Sequence, residues 1–175
     1  MESQMTIGKK ISLMCALLVI FTVTLGVTSL VSMTRMDAAT QSVVGDALPG
    51  VYFAGRVESM AKDVRAAMTI HIGSDKAEDF TQLESTIAQG RQNVLDALKE
   101  YEKTITRSRD RELHARMAPA FEQFLATWEK PRSLSRALKP QEAMAVYRSE
   151  SVPAFTVFQK AAGDLLEFNR SSGDE

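Results

Sequence analysis

Cysteine is nearly missing from this 175-residue chain, and histidine and aromatic side chains are scarce: one Cys, two His, and 7% Phe, Trp and Tyr. A lone Cys15 excludes an intrachain disulfide and any zinc site built on paired thiolates. It leaves the redox compartment undetermined. With 5 Pro and 9 Gly, the chain is neither collagen-like nor low in complexity. An excess of one charge is lacking too: 21 Lys and Arg face 22 Asp and Glu, a net charge of -1. Without a basic surface to displace counterions, nucleic acid is not an expected partner. After Thr34 there is no strand-like alternation of any length, so an all-α fold is expected. What remains is a chain 45% apolar and 25% charged, with room for one domain and a short extra segment.

The extra segment is at the start. From Ile11 to Met33 no residue is charged, and in a helix this run extends about 35 Å, enough to cross the roughly 30 Å hydrocarbon layer. Lys9 and Lys10 precede it, while Arg35 and Asp37 follow, so the lysine side should stay in the cytoplasm and the rest be exported. The run is too long for a signal-peptide h-region, and Ser32-Met33-Thr34 is a poor cleavage site. A retained anchor is therefore expected. Lipid modification at Cys15 is disfavoured because Met14, not a small residue, precedes it. The expected organisation is a cytoplasmic N-terminus (1–10), a transmembrane helix (11–33) and an extracytoplasmic domain (34–175).

That domain shows apolar residues at three- and four-residue steps. The first seam is Val44, Leu48, Val51, Ala54, Val57, Ala61, Val64 and Met68, interrupted by Pro49-Gly50, where a kink is expected. Gly73-Ser74-Asp75 reads as a helix stop, with Asp75 and Glu78 as an acidic capping box for the next helix. Phe80, Leu83, Ile87, Gly90, Val94, Leu98, Tyr101 and Ile105 mark that second helix. Asp110 is the expected N-cap of a third, carrying Leu113, Met117, Phe121, Phe124 and Trp128. Pro131 and Leu138-Lys139-Pro140 bound the next connection, and Pro140 opens a fourth helix bent at Pro153. Its seam of Met144, Tyr147, Ser151, Ala154, Phe158, Ala161, Leu165 and Phe168 has the 3.5-residue coiled-coil period. Together these predict a membrane helix continuing into an antiparallel up-down-up-down four-helix bundle.

Catalytic machinery is not evident. His71 and His114 lack the Glu-x-x-His partners of a bundle metal centre, and no phosphate loop or nucleophile elbow occurs. No metal, cofactor or enzymatic activity is expected. The cations of the first exported helix, Arg56, Lys62 and Arg65, are the candidate ligand-binding residues, because an arginine fork suits a carboxylate. Arg56 and Arg65 lie about 180° apart around a helix, so only a second subunit could bring them to one ligand. The competing reading is a solvated face, with Glu58 and Lys62 as an ordinary surface pair. The aromatics Tyr52, Phe53, Tyr101, Trp128 and Tyr147 suit either an organic-ligand pocket or, more commonly, a core.

Three stretches carry a resemblance: MTIGKKISLMCALLVIFTVTLGV, LPGVYFAGRVESMAKDVRAAMTIHI and VPAFTVFQKAAGDLLEFN. With them the chain resembles the four-helix-bundle input module of methyl-accepting chemotaxis proteins, the bacterial chemoreceptors. The resemblance implies a homodimeric periplasmic sensor in the inner membrane, binding a small ligand or a ligand-loaded periplasmic binding protein and shifting its last helix. Arg56 and Arg65 resemble the arginines of amino-acid-sensing members, and an anionic ligand follows from that. Similar modules precede histidine kinases and nucleotide cyclases, and a membrane-anchored structural or partner-binding bundle is the remaining alternative. The second membrane helix and output region of a full receptor are not in the sequence.

Overall fold

The computed structural model describes residues 6–172, with their side chains except those of 38, 39, 41–43, 46 and 172. Residues 1–5 of the expected cytoplasmic segment thus lie outside the described residues. The chain divides into two compact units, Met1–Gln41 and Ser42–Glu175.

In the first unit, helix α1 (Ile7–Ser42) exposes every described side chain. Among the described residues it is the one helix long and apolar enough to cross a membrane. Its polar side chains do not oppose that. Thr22, Thr24, Thr28 and Thr34 each donate to a carbonyl three or four residues back, at 2.8–3.0 Å, so their hydroxyls need no water.

The second unit opens with a π-helical turn, Val43–Ala47, and then has four legs. Helices α2 (Leu48–Gly73) and α3 (Ala77–Glu102) form the first two. The third is segmented into α4 (Ser108–His114), α5 (Met117–Ala126) and α6 (Glu129–Arg136). The fourth comprises α7 (Pro140–Val146), a π-helical turn Tyr147–Ser151, and α8 (Val152–Ser172). Helix α2 packs on α3 and α8, α5 on α8, and α6 on α7, which closes an up-down-up-down bundle around one core.

Proline explains where the long legs deviate. Each π-helical turn lies just ahead of a proline, Pro49 in one case and Pro153 in the other. A proline ring collides with the carbonyl four residues back and offers it no N–H; a wider turn moves that carbonyl aside. The expected bends are thus taken up as π-turns. In the third leg Pro119 and Pro131 sit in the first turns of α5 and α6, where a missing N–H costs no bond. Pro131 therefore lies inside a helix, and the connection expected from it onwards shrinks to 137–139.

The core is aliphatic in the middle of the α2–α3 pair, with Phe80 and Tyr101 towards its ends, and aromatic between α5 and α8. Gly90 lets α3 approach so closely that a Cβ there would overlap Val64 of α2. Phe121, Phe124, Phe155 and Phe158 are fully buried, with ring centroids 4.9 and 5.4 Å apart between α5 and α8. Such rings favour tilted and edge contacts, and burying each contributes about 1.5–3 kcal/mol. Phe155 was not assigned to the expected seam.

Three local expectations are corrected. Val44 and Leu48 are exposed, and the buried face of α2 starts at Gly50 and Ala54. Lys76 is the N-cap of α3 and no side-chain cap bond forms, so the Asp75–Glu78 box is not made. Asp110 is not a cap either: α4 starts two residues earlier, and the Asp110 carboxylate is buried against Tyr101.

Candidate functional site

The three cations singled out in the sequence do not converge within one chain. Arg56 turns to α3 and pairs with Glu100 at 3.3 Å, both side chains well exposed. Lys62 pairs with Glu58 at 2.8 Å along the same helix, as the solvated-face reading expects. Arg65 behaves differently. Its guanidinium lies 4.9 Å from the centre of the Phe155 ring, a cation–π arrangement between α2 and α8. It also neighbours the Tyr147 phenol, whose pKa is pushed up by burial and only partly held back by Arg65. The Tyr147 hydroxyl has no hydrogen-bond partner among the described residues.

Lys62 and Arg65, with Ala66 and Thr69, line a shallow groove of about 350 Å³. Thr69 also borders a second groove of about 430 Å³ between α2 and α7, lined by Ile72, Met144 and Arg148 among others. Among the described residues Arg148 has no acidic partner. It belongs to the π-turn Tyr147–Ser151, so the turn ahead of Pro153 places this cation at the groove. Sequence reading missed Arg148, because a lone arginine on an exposed helix face carries no signal. Thr69 is therefore shared by a groove lined by Lys62 and Arg65 and one lined by Arg148, Ile72 and Met144.

At the same end of the bundle His71, fully buried, connects three helices. Its Nδ1 is 2.9 Å from Oγ of Ser135 on α6, and its Nε2 is 3.2 Å from Oε1 of Glu84 on α3. Arg136 clasps Glu84 with two bonds of 2.7 and 2.8 Å, and the imidazole lies between Phe80 and Trp128. Burial lowers the His71 pKa, opposed by Glu84; the Arg136 fork lowers that of Glu84. Ser135, His71 and Glu84 thus form a chain with the composition of a hydrolytic triad. Its serine is 1% exposed and its histidine 0%, so no substrate carbonyl can reach the hydroxyl. Among the described residues no three His, Cys, Asp or Glu side chains gather to hold a metal.

Compared with models of known families, residues 4–175 match the four-helix-bundle sensory module for signal transduction, the module of chemoreceptors. The chain belongs to that family. A comparison with curated proteins finds no match. The family match spans all three stretches from which the resemblance was drawn.

At its other end this sensory module is held by a second buried polar cluster. Asn169 of α8 donates through Nδ2 to the Tyr101 hydroxyl at 2.8 Å, to Asp110 Oδ1 at 3.1 Å and to the Leu165 carbonyl at 3.1 Å. Tyr101 in turn donates to Asp110 Oδ1. The cluster ties α8 to α3 and α4 where α2 begins, at Gly50. Of its members, Tyr101 was read as a pocket or core aromatic and Asp110 as an N-cap, while Asn169 carried no expectation.

Proposed function

We propose that the sensory module is the extracytoplasmic input of an inner-membrane chemoreceptor, anchored by α1, and that its direct ligand is a small organic anion. The observation that supports the ligand class is a pair of neighbouring grooves that share Thr69, one lined by Lys62 and Arg65 and the other by Arg148, Ile72 and Met144. Guanidinium forks hold a carboxylate in two-point contact, and Ile72 and Met144 take an apolar remainder. No catalysis is assigned to it.

The proposed assembly is a homodimer. Leu48, Tyr52, Gly55, Ser59, Lys62 and Ala66 are all exposed and follow steps of four and three along α2, the spacing of a second coiled-coil seam. A second copy on this face would set its Lys62, or its Arg56 released from Glu100, beside Arg65. A ligand contacting both copies favours one packing over another, and α8 then moves by about 1–2 Å, within the range of known helix shifts. The alternative, input to a sensor kinase or cyclase, uses the same site.

Isothermal titration of the chain in detergent with a panel of organic acids and amino acids tests the reading, together with Arg65→Ala and Arg148→Ala. A ligand lost from both variants supports the groove. One bound equally by both variants overturns the site, and an empty panel favours capture of a ligand-loaded periplasmic binding protein instead. A reporter fused after Glu175 checks the orientation: activity in the cytoplasm contradicts it.

A further inference from the structure

The Ser135 hydroxyl has one proton and two acceptors within reach. The His71 carbonyl lies 2.7 Å from Oγ and the His71 Nδ1 2.9 Å. On the other side of the ring Nε2 faces Glu84, which is gripped by Arg136 and is a carboxylate, hence an acceptor only. Nε2 must then carry hydrogen in either charge state. The neutral imidazole is therefore the Nε2–H tautomer, and its bare Nδ1 takes the Ser135 proton. In the imidazolium Nδ1 becomes a donor to Ser135, and the hydroxyl proton is released to the carbonyl.

We propose that His71 is a proton-operated switch at this end of the bundle: protonation turns the Ser135 hydroxyl from the imidazole to the His71 carbonyl, so that α6, already linked to the ring, also bonds the backbone of the last turn of α2. The carbonyl concerned also accepts the Ser74 N–H at 3.2 Å, so the switch reaches the turn that links α2 to α3. The proton gained on acidification is the one at Nδ1, because Nε2 already carries hydrogen. Glu84 is partly exposed, with 22% of its side chain open, and borders a groove lined by Trp128 and Arg132, and its carboxylate accepts from Nε2 in both charge states.

The charges around the ring set the direction. From α3 only Glu84 faces it; from α6 Arg136 opposes protonation, and Arg132 acts on Glu84. From α7 the acid Glu142 is exposed and pairs with Lys139. Phe80 and Trp128 are uncharged. Burial outweighs Glu84, so the neutral form prevails near neutrality and acidification operates the switch. Acid at the cell surface is thus a second input, and it stands whether or not the groove binds an organic anion.

Nuclear magnetic resonance of the whole chain in micelles tests it, with His114→Asn leaving His71 the sole imidazole. The His71 ring should titrate with a midpoint below 6.5, and the Ser74 amide resonance should move with the same midpoint. Ser135→Ala should leave the ring titrating and remove most of the Ser74 movement. A ring that does not titrate while the chain stays folded overturns the proposal, and so does a Ser74 response unchanged in Ser135→Ala. If that variant loses its helical circular dichroism, His71→Gln carries the test: the Ser74 response must vanish, and its persistence overturns the switch.

Discussion

Asn169 on α8 lies against Gly50 on α2 so closely that a Cβ at position 50 would overlap its side-chain amide. The amide cannot simply swing away, because Tyr101, Asp110 and the Leu165 carbonyl hold it. Gly50→Ala should therefore destabilise the chain by about 1–2 kcal/mol, even though alanine is the better helix former by about 1 kcal/mol. In Asn169→Ala the clash disappears. Chemical denaturation of both single variants and the double should show a favourable coupling between the two substitutions. Additive effects would show that the contact is not felt.

Stability should fall on acidification in two stages. The unfolded chain binds a proton at His71 more readily than the folded one, because burial lowers the folded pKa below 6.5. Stability from this residue is full above 6.5 and is lost as pH falls through the lower folded value. Glu84 follows the same sign at lower pH: its folded pKa lies below the ordinary 4.5, held there chiefly by Arg136, so its contribution is lost only below that point. Melting temperature against pH should lose the first stage in His71→Gln and the second in Glu84→Gln. A wild-type profile flat through both ranges would contradict the assignment.

Leu138 is the one described non-glycine residue with positive φ, at 56°. It occupies the left-handed position after α6, where the Lys139 N–H returns to the Leu134 carbonyl and the Leu138 N–H to that of Ser135. This is the helix-ending arrangement that glycine suits best. The side chain is 61% exposed, so little packing is lost on removing it. Leu138→Gly should stabilise the chain by roughly 0.5–1 kcal/mol in thermal unfolding. Destabilisation would mean that Leu138 makes a contact in solution that one chain does not show.

The periodicity of the sequence determined the class of fold, because a 3.5-residue repeat can bury only one stripe per helix and antiparallel packing satisfies four of them at once. Pro140, Pro49 and Pro153 were legible too, since a missing N–H acts within one turn. So was the Lys62–Glu58 pair, four residues apart on one helix. Which stripe is buried was not legible where two coexist: Val44 and Leu48 fit the inner seam, yet both are exposed. Only tertiary packing brought Ser135 to His71, 64 residues away, and Asn169 to Tyr101, 68 away. Hydrogen bonds across such separations depend on the register of one leg against another, and that register is set by the whole core. The same holds for Arg148, whose place beside the groove is decided by the packing of α7 on α2, whereas Arg56, Lys62 and Arg65 could be chosen from one helix and one charge.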